Sequence, residues 1–148
     1  MNNFKRLGSL EFPGKLTIRM RILIADDNAR IRQGIKSILT SREEWEICGE
    51  AQDGPEAIEK SRSLLPDLIL LDISMPGMNG LDAARMLLQA TPAKILVMSQ
   101  HDATVLAPRA REVGAHGSLD KSRLSTDLIP TITGIFQQSR PTSTESGV

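Results

Sequence analysis

Five short apolar runs alternate with stretches of helical periodicity along this chain, and that alternation restricts it to a small set of folds. The runs occupy residues 21–25, 45–50, 67–71, 94–98 and 115–119. Between and after them, 29–40, 55–64, 81–90, a helix within 103–113, and 125–138 carry apolar residues at helical spacing. In the first helix Ile31, Ile35, Ile38 and Leu39 mark one face. In the third, Leu81, Ala84 and Leu88 align, and in the last, Leu128, Ile129, Ile132, Ile135 and Phe136 do so. Leu68-Ile69-Leu70-Leu71 is uncharged and bounded by Pro66 before it and Pro76, Gly77 and Gly80 after it, which suits a strand buried on both faces and forbids a continuous helix. Five βα units in series predict a parallel sheet, covered by helices on both faces and joined by right-handed crossovers.

With 148 residues, 40% of them hydrophobic, one well-buried core is expected and two ordinary domains are not. Lys plus Arg and Asp plus Glu both number 18, so no global basic field favours nucleic acid or an anionic membrane. No apolar run approaches the roughly 20 residues needed to span a bilayer, and residues 1–19 lack a continuous apolar signal core, which makes the cytoplasm the expected location. Cys48, the only cysteine, lies between Ile47 and Gly49 and reads as a small core side chain of a strand. Residues 1–19 have no clear period and read as a disordered extension, with Met20 an alternative or true translation start. The polar, Ser/Thr-rich 139–148 reads as a disordered tail, leaving 20–138 as the domain.

Two helices are locally compromised. Pro108 falls inside the fourth, where a mid-helix proline costs on the order of 3 kcal/mol, so that helix is expected to start late or bend and to be mobile. Pro130 and Gly134 weaken the last helix, which must then be held by packing.

The polar residues that end the strands carry the chemistry. Asp72 closes the third run, and Asp26-Asp27-Asn28 closes the first. An aspartate after a strand can simply cap a loop. In open α/β sheets, however, ligands bind at the carboxyl ends of strands. If the first and third strands are neighbours, three carboxylates converge and their repulsion demands a cation. Mg²⁺ suits an acidic site with no clustered Cys or His, because it takes hard oxygen ligands and typically one or two carboxylates plus a phosphate. Ser99 ends the fourth run and Lys121 follows the fifth, offering a hydroxyl and a point charge of the kind a phosphoryl group on Asp72 would need. Singly, Ser99 reads as a helix cap and Lys121 as a solvated loop residue.

Taken together, Asp26-Asp27 after strand one, Asp72 followed by Met75-Pro76-Gly77-Met78-Asn79-Gly80, Ser99 after strand four and Lys121 after strand five resemble the receiver domain of bacterial response regulators in two-component signalling. The resemblance covers about residues 20–138. Leu96-Val97-Met98-Ser99-Gln100-His101-Asp102 and Lys121-Ser122 look most like receivers of the LuxR-type subgroup. It implies a flavodoxin-like (βα)5 doubly wound parallel five-stranded sheet of order 2-1-3-4-5. It further implies a phospho-accepting signalling domain rather than an enzyme: Asp72 takes a phosphoryl group from a sensor histidine kinase or phosphotransfer protein. Asp26, Asp27, Asp72 and the backbone carbonyl of Ser74 would hold Mg²⁺ (or Mn²⁺). Lys121 would pair with a phosphoryl oxygen, and Ser99 would swing towards the phosphate, drawing the loop before the fourth helix with it. His101 and Ser74 fall where such receivers border the water that attacks the phosphate; the competing reading has His101 capping its loop and Ser74 facing solvent. His116 reads as packing or surface, Met75 and Met78 as loop apolar residues, and Trp45 as the opening of strand two, too early for the phosphate site.

The chain departs from the family at Ser118, where a Tyr or Phe is usual, and this with Pro108 predicts a less sharply two-state output face. A haloacid-dehalogenase-like phosphatase would want a second Asp two residues after the nucleophile, where this chain has Ser74. Pro13-Gly14-Lys15-Leu16 lacks the earlier Gly and the Ser/Thr of a phosphate-binding loop. A degenerate receiver acting only as a docking module is the remaining alternative. The length after Lys121 suits one helix and a tail, so the expectation is either a stand-alone chain that signals through protein contacts or a truncated form of a longer one, with no DNA-binding output domain in this sequence, no nucleic acid or membrane contact of its own, as a monomer or weak phosphorylation-dependent dimer.

Overall fold

A computed structural model of the chain describes residues 19–100 and 103–138. The strands are β1 (Met20–Ala25), β2 (Trp45–Ala51), β3 (Leu68–Asp72), β4 (Lys94–Ser99) and β5 (Gly117–Asp120). They alternate with α1 (Ala29–Leu39), α2 (Gly54–Leu64), α3 (Gly80–Ala90), α4 (Ala103–Val113) and α5 (Leu124–Gln138), and a single 3-10 turn, Lys121–Arg123, leads into α5. All strand pairs are parallel and the order is β2-β1-β3-β4-β5, so the doubly wound sheet expected from the alternation is the one formed.

Successive side chains of a strand point to opposite faces, and this divides the core in two. Leu23, Ala25, Ile69, Leu71, Ile95 and Val97 pack under α2, α3 and α4. Ile22, Ile24, Leu68, Leu70, Leu96, Met98 and Leu119 pack under α1 and α5. Every residue of β3 is buried, which is why its sequence shows no alternation. Pro130 does not break α5, because Leu128, Ile132 and Ile135 are buried beneath it. At roughly 1.5–3 kcal/mol for each buried side chain, their burial outweighs the ~3 kcal/mol a mid-helix proline costs.

The structure corrects four local expectations. Helix α4 does not start late: it begins at Ala103 and carries Pro108 in its middle, with Leu106 and Ala110 buried on either side of the proline. Strand β5 starts at Gly117 rather than at 115, because the Ala115 N–H is engaged by the Ala110 carbonyl at 2.9 Å and Gly114 by Arg111 at 3.0 Å, a closure of α4 that uses Gly114 at φ +95°. The buried face of α3 is Gly80, Ala83, Ala84 and Leu87, rotated from the Leu81, Ala84 and Leu88 line, so small residues take the closest approach. Cys48 is half-buried on the edge strand β2 and packs against the core rather than inside it; burial pushes its thiol up. The expectations for residues 1–18 and 139–148 and for His101 and Asp102 fall outside the described residues.

Candidate functional site

Parallel register sets the site before any side chain is considered. Ala25 pairs with Leu71, Asp72 with Met98 and Ser99 with Asp120, so Asp26, Asp72, Ser99 and Lys121 end adjacent strands at the same edge. β1 passes into α1 within three residues and β2 into α2 within two, and asparagines cap α1 and α3. Asn28 Oδ1 accepts from the Arg30 and Ile31 N–H groups at 2.8 and 3.1 Å to cap α1, and Asn79 Oδ1 accepts from Leu81 N–H at 2.8 Å to cap α3. After Asp72 the chain must return tightly, and Gly80 is where it does so: a Cβ there would overlap the backbone of Ile73.

Asp26 and Asp72 are fully buried, and they share one ammonium group. Lys121 Nζ lies 2.8 Å from Asp26 Oδ2 and 3.3 Å from Asp72 Oδ2, with its side chain 5% exposed. The other oxygens take backbone donors: Asn28 N–H to Asp26 Oδ1 at 2.8 Å, and Ser74 N–H to Asp72 Oδ1 at 2.9 Å. Asp27 is exposed, yet one of its carboxylate oxygens lies within 4.8 Å of oxygens from both Asp26 and Asp72. Burial raises the Asp72 carboxyl above its ordinary value and the neighbouring Asp26 charge adds to this, against the opposing pull of the Ser74 N–H and Lys121.

Three carboxylates face a single lysine here, so the cluster carries surplus negative charge in a mostly dry setting. All of its convergent acidic donors are hard oxygens, with no His or Cys among them, and exposed Asp27 leaves a side open to water. That donor set fits Mg²⁺ or Mn²⁺ and is a poor match for zinc or copper.

Of the residues singled out from the sequence, Asp26, Asp27 and Asp72 converge, and Lys121 reaches Asp26 and Asp72. Ser99 is buried at the end of β4, on the same edge. Ser74 is exposed and is tied to Asp72 through its N–H. Ser118 is half-buried in β5 opposite Val97. His116 serves the fold: its Nδ1 accepts from Ile95 N–H at 3.0 Å. Trp45 opens β2 at the far edge of the sheet. Arg32 was not legible as part of the site, since nothing in its sequence neighbourhood tells it from the other basic residues of α1. Its Nη1 donates to the Asp26 backbone carbonyl at 2.6 Å and its Nε to Glu50 Oε1 at 2.7 Å.

Residues 22–133 match the sequence model of the response regulator receiver domain. The transcriptional regulatory protein PdtaR of Mycobacterium tuberculosis is 42% identical over 113 residues, covering 76% of this chain and 54% of the relative. A protein-glutamate methylesterase/protein-glutamine glutaminase of Pyrococcus horikoshii is 38% identical over 115 residues, covering 74% of this chain and 30% of the relative. The chain thus spans between about a third and a half of the length of these curated relatives. Among solved structures, a LuxR-family two-component response regulator from Aurantimonas superposes with a TM-score of 0.76 at 31% identity, covering 82% of this chain and 88% of the other. The signal receiver domain of the NarL response regulator from Mycobacterium tuberculosis gives 0.74 at 31% identity, covering 83% and 99%.

Proposed function

Because this chain belongs to the response regulator receiver family, we propose that it is a phospho-accepting signalling domain in which Asp72 takes a phosphoryl group from a sensor histidine kinase or phosphotransfer protein. The observation that carries the reading is the buried Asp72 carboxylate sharing Lys121 with Asp26, an arrangement with more negative charge than its own residues neutralise. As nucleophile, an Asp72 carboxylate oxygen attacks phosphorus: the O–P bond forms as the P–N bond of a phosphohistidine breaks, and the imidazole nitrogen keeps the electron pair. Lys121 transfers part of its contact from the carboxylates to a phosphoryl oxygen, and the Ser99 hydroxyl donates to another. Asp26, Asp27, Asp72 and the Ser74 carbonyl form the binding set for Mg²⁺ or Mn²⁺. A divalent ion held there offsets charge on the oxygens of the transferring group.

The response is a population shift. Ser99 and Lys121 gain contacts only in the phosphorylated state, and those contacts favour a different arrangement of the ends of β4 and β5. The chain turns over no substrate, gains and loses its own phosphoryl group, and passes the signal on by protein contact in the cytoplasm, as a monomer or a weak phosphorylation-dependent dimer. Intact-mass measurement with acetyl phosphate and Mg²⁺ tests this. The expected result is a phosphate-sized gain that is lost in Asp72→Asn; no gain with acetyl phosphate or any other phosphodonor favours a docking module instead.

A further inference from the structure

We infer that Arg32 is a positioning residue for the acidic site, holding the peptide between Asp26 and Asp27 so that the two carboxylates keep one relative orientation. The inference rests on the phospho-acceptor reading above. Arg32 lies on the second turn of α1 with its side chain 12% exposed, so its guanidinium is largely withdrawn from water. One arm of its fork, Nη1, donates to the Asp26 carbonyl at 2.6 Å, and Nε donates to Glu50 Oε1 at 2.7 Å. The Asp26 carbonyl belongs to the peptide plane that joins Asp26 to Asp27. Rotation of that plane would swing the exposed Asp27 away from the buried pair.

The rest of the frame makes the clamp rigid. Glu50 lies in β2, and its second oxygen accepts from Lys36 Nζ at 2.7 Å; Lys36 first and Arg32 second hold its carboxyl below the ordinary carboxylate range. The Glu50 backbone carbonyl accepts from Lys60 Nζ of α2 at 2.6 Å, so the glutamate that aims Arg32 is itself tied to both flanking helices. On the other side of the dipeptide, Asp26 N–H donates to the Ala51 carbonyl at 3.0 Å, and Asn28 N–H donates to Asp26 Oδ1 at 2.8 Å. Asp26 is therefore held at the peptide before it, through its own N–H, at its side chain, and at the carbonyl it contributes to the peptide with Asp27. Only the carbonyl bond depends on a long side chain. Lysine cannot replace this clamp, because a point ammonium cannot serve a carbonyl and a carboxylate through two fixed donors as the planar fork does.

The test measures divalent-ion affinity directly, by calorimetric titration of the full chain with Mg²⁺, beside the rate of phosphorylation by acetyl phosphate. Partners that orient metal ligands without touching the metal typically govern affinity by 10- to 100-fold, so Arg32→Lys and Arg32→Gln are expected to weaken Mg²⁺ binding by about tenfold or more. Arg62→Gln removes an exposed cation from the last turn of α2 that contacts neither Glu50 nor the Asp26 carbonyl, and its expected affinity stays within about twofold of the unmutated chain. A dissociation constant unchanged in both Arg32 variants, or weakened equally in Arg62→Gln, overturns the inference while leaving the phospho-acceptor reading intact. Failure of the unmutated chain to bind Mg²⁺ and to gain phosphate overturns both together. Circular dichroism on each variant separates a lost clamp from a lost fold.

Discussion

The two edges of the sheet are both polar, and they treat charge in opposite ways. At the amino edge, Asp67 Oδ2 accepts from Arg21 N–H at 2.8 Å, Arg21 donates to the Leu64 carbonyl at 2.7 Å, Arg42 stacks over Trp45 at 4.5 Å and pairs with Glu44, and His116 accepts from Ile95. These contacts are mostly half-exposed, and the acids and bases there balance. At the carboxyl edge, two fully buried carboxylates divide one lysine, and a third stands beside them. A balanced, solvated pair is worth little to stability and does not need a ligand. A buried surplus costs stability and is relieved by a cation or a transferred group, so the imbalance marks where the chemistry lies.

The largest effect expected from breaking this contrast is Lys121→Met, which strands Asp26 and Asp72 without their shared cation. Losing one partner of a buried pair costs about 3–5 kcal/mol, so urea melts with divalent ions chelated should shift steeply to lower midpoints, and added Mg²⁺ should recover part of the loss. Gly80→Ala comes next. Its Cβ runs into the Ile73 backbone, and forced overpacking costs about 1–3 kcal/mol, read in the same melts together with slower phosphorylation as the loop after Asp72 moves.

Asp72→Asn changes stability in the other direction. A carboxyl whose value is raised on folding binds its proton more tightly folded than unfolded, so it opposes folding increasingly as pH rises from the ordinary value of 3.8 through the raised one. Above that window the neutral amide is expected to stabilise the metal-free chain by on the order of 1 kcal/mol while abolishing phosphate gain. A melt showing Asp72→Asn less stable at neutral pH would remove the claim that this edge carries a surplus.

The smallest effect belongs to the amino edge. Burial, aided by Lys94, lowers His116 from its ordinary 6.5, so the unfolded chain takes up this proton first and stability falls as pH drops below 6.5 until the lowered folded value is passed. His116→Gln should flatten that part of the pH–stability curve without altering Mg²⁺ affinity. A change in affinity would show that the two edges are coupled.

Strand and helix order was legible because short apolar runs and helical patterns are local properties of the chain, and the polar residues that end β1, β3, β4 and β5 could be read from where each apolar run stops. The site's logic then followed from topology, since parallel strands in the order β2-β1-β3-β4-β5 bring those ends to one edge. Less could be read where a long-range contact decides the outcome. Pro108 signals a late start or a bend when α4 is considered alone, yet Leu106 and Ala110 bury against neighbouring elements and the helix starts at Ala103, ahead of the proline. The α3 face turned on which small residues could approach most closely.

By itself, the sequence determined the alternation and the identities of Asp26, Asp27, Asp72, Ser99 and Lys121 at the ends of their runs. Only the tertiary structure decided that Lys121 would be shared between two buried acids, that Arg32 would reach the Asp26 carbonyl, and that His116 would serve the backbone rather than the site. The reason is physical: periodicity and turn chemistry act over a few residues, whereas the sharing of a charge or a carbonyl depends on which side chains arrive, from separate elements, within about 3 Å of one another.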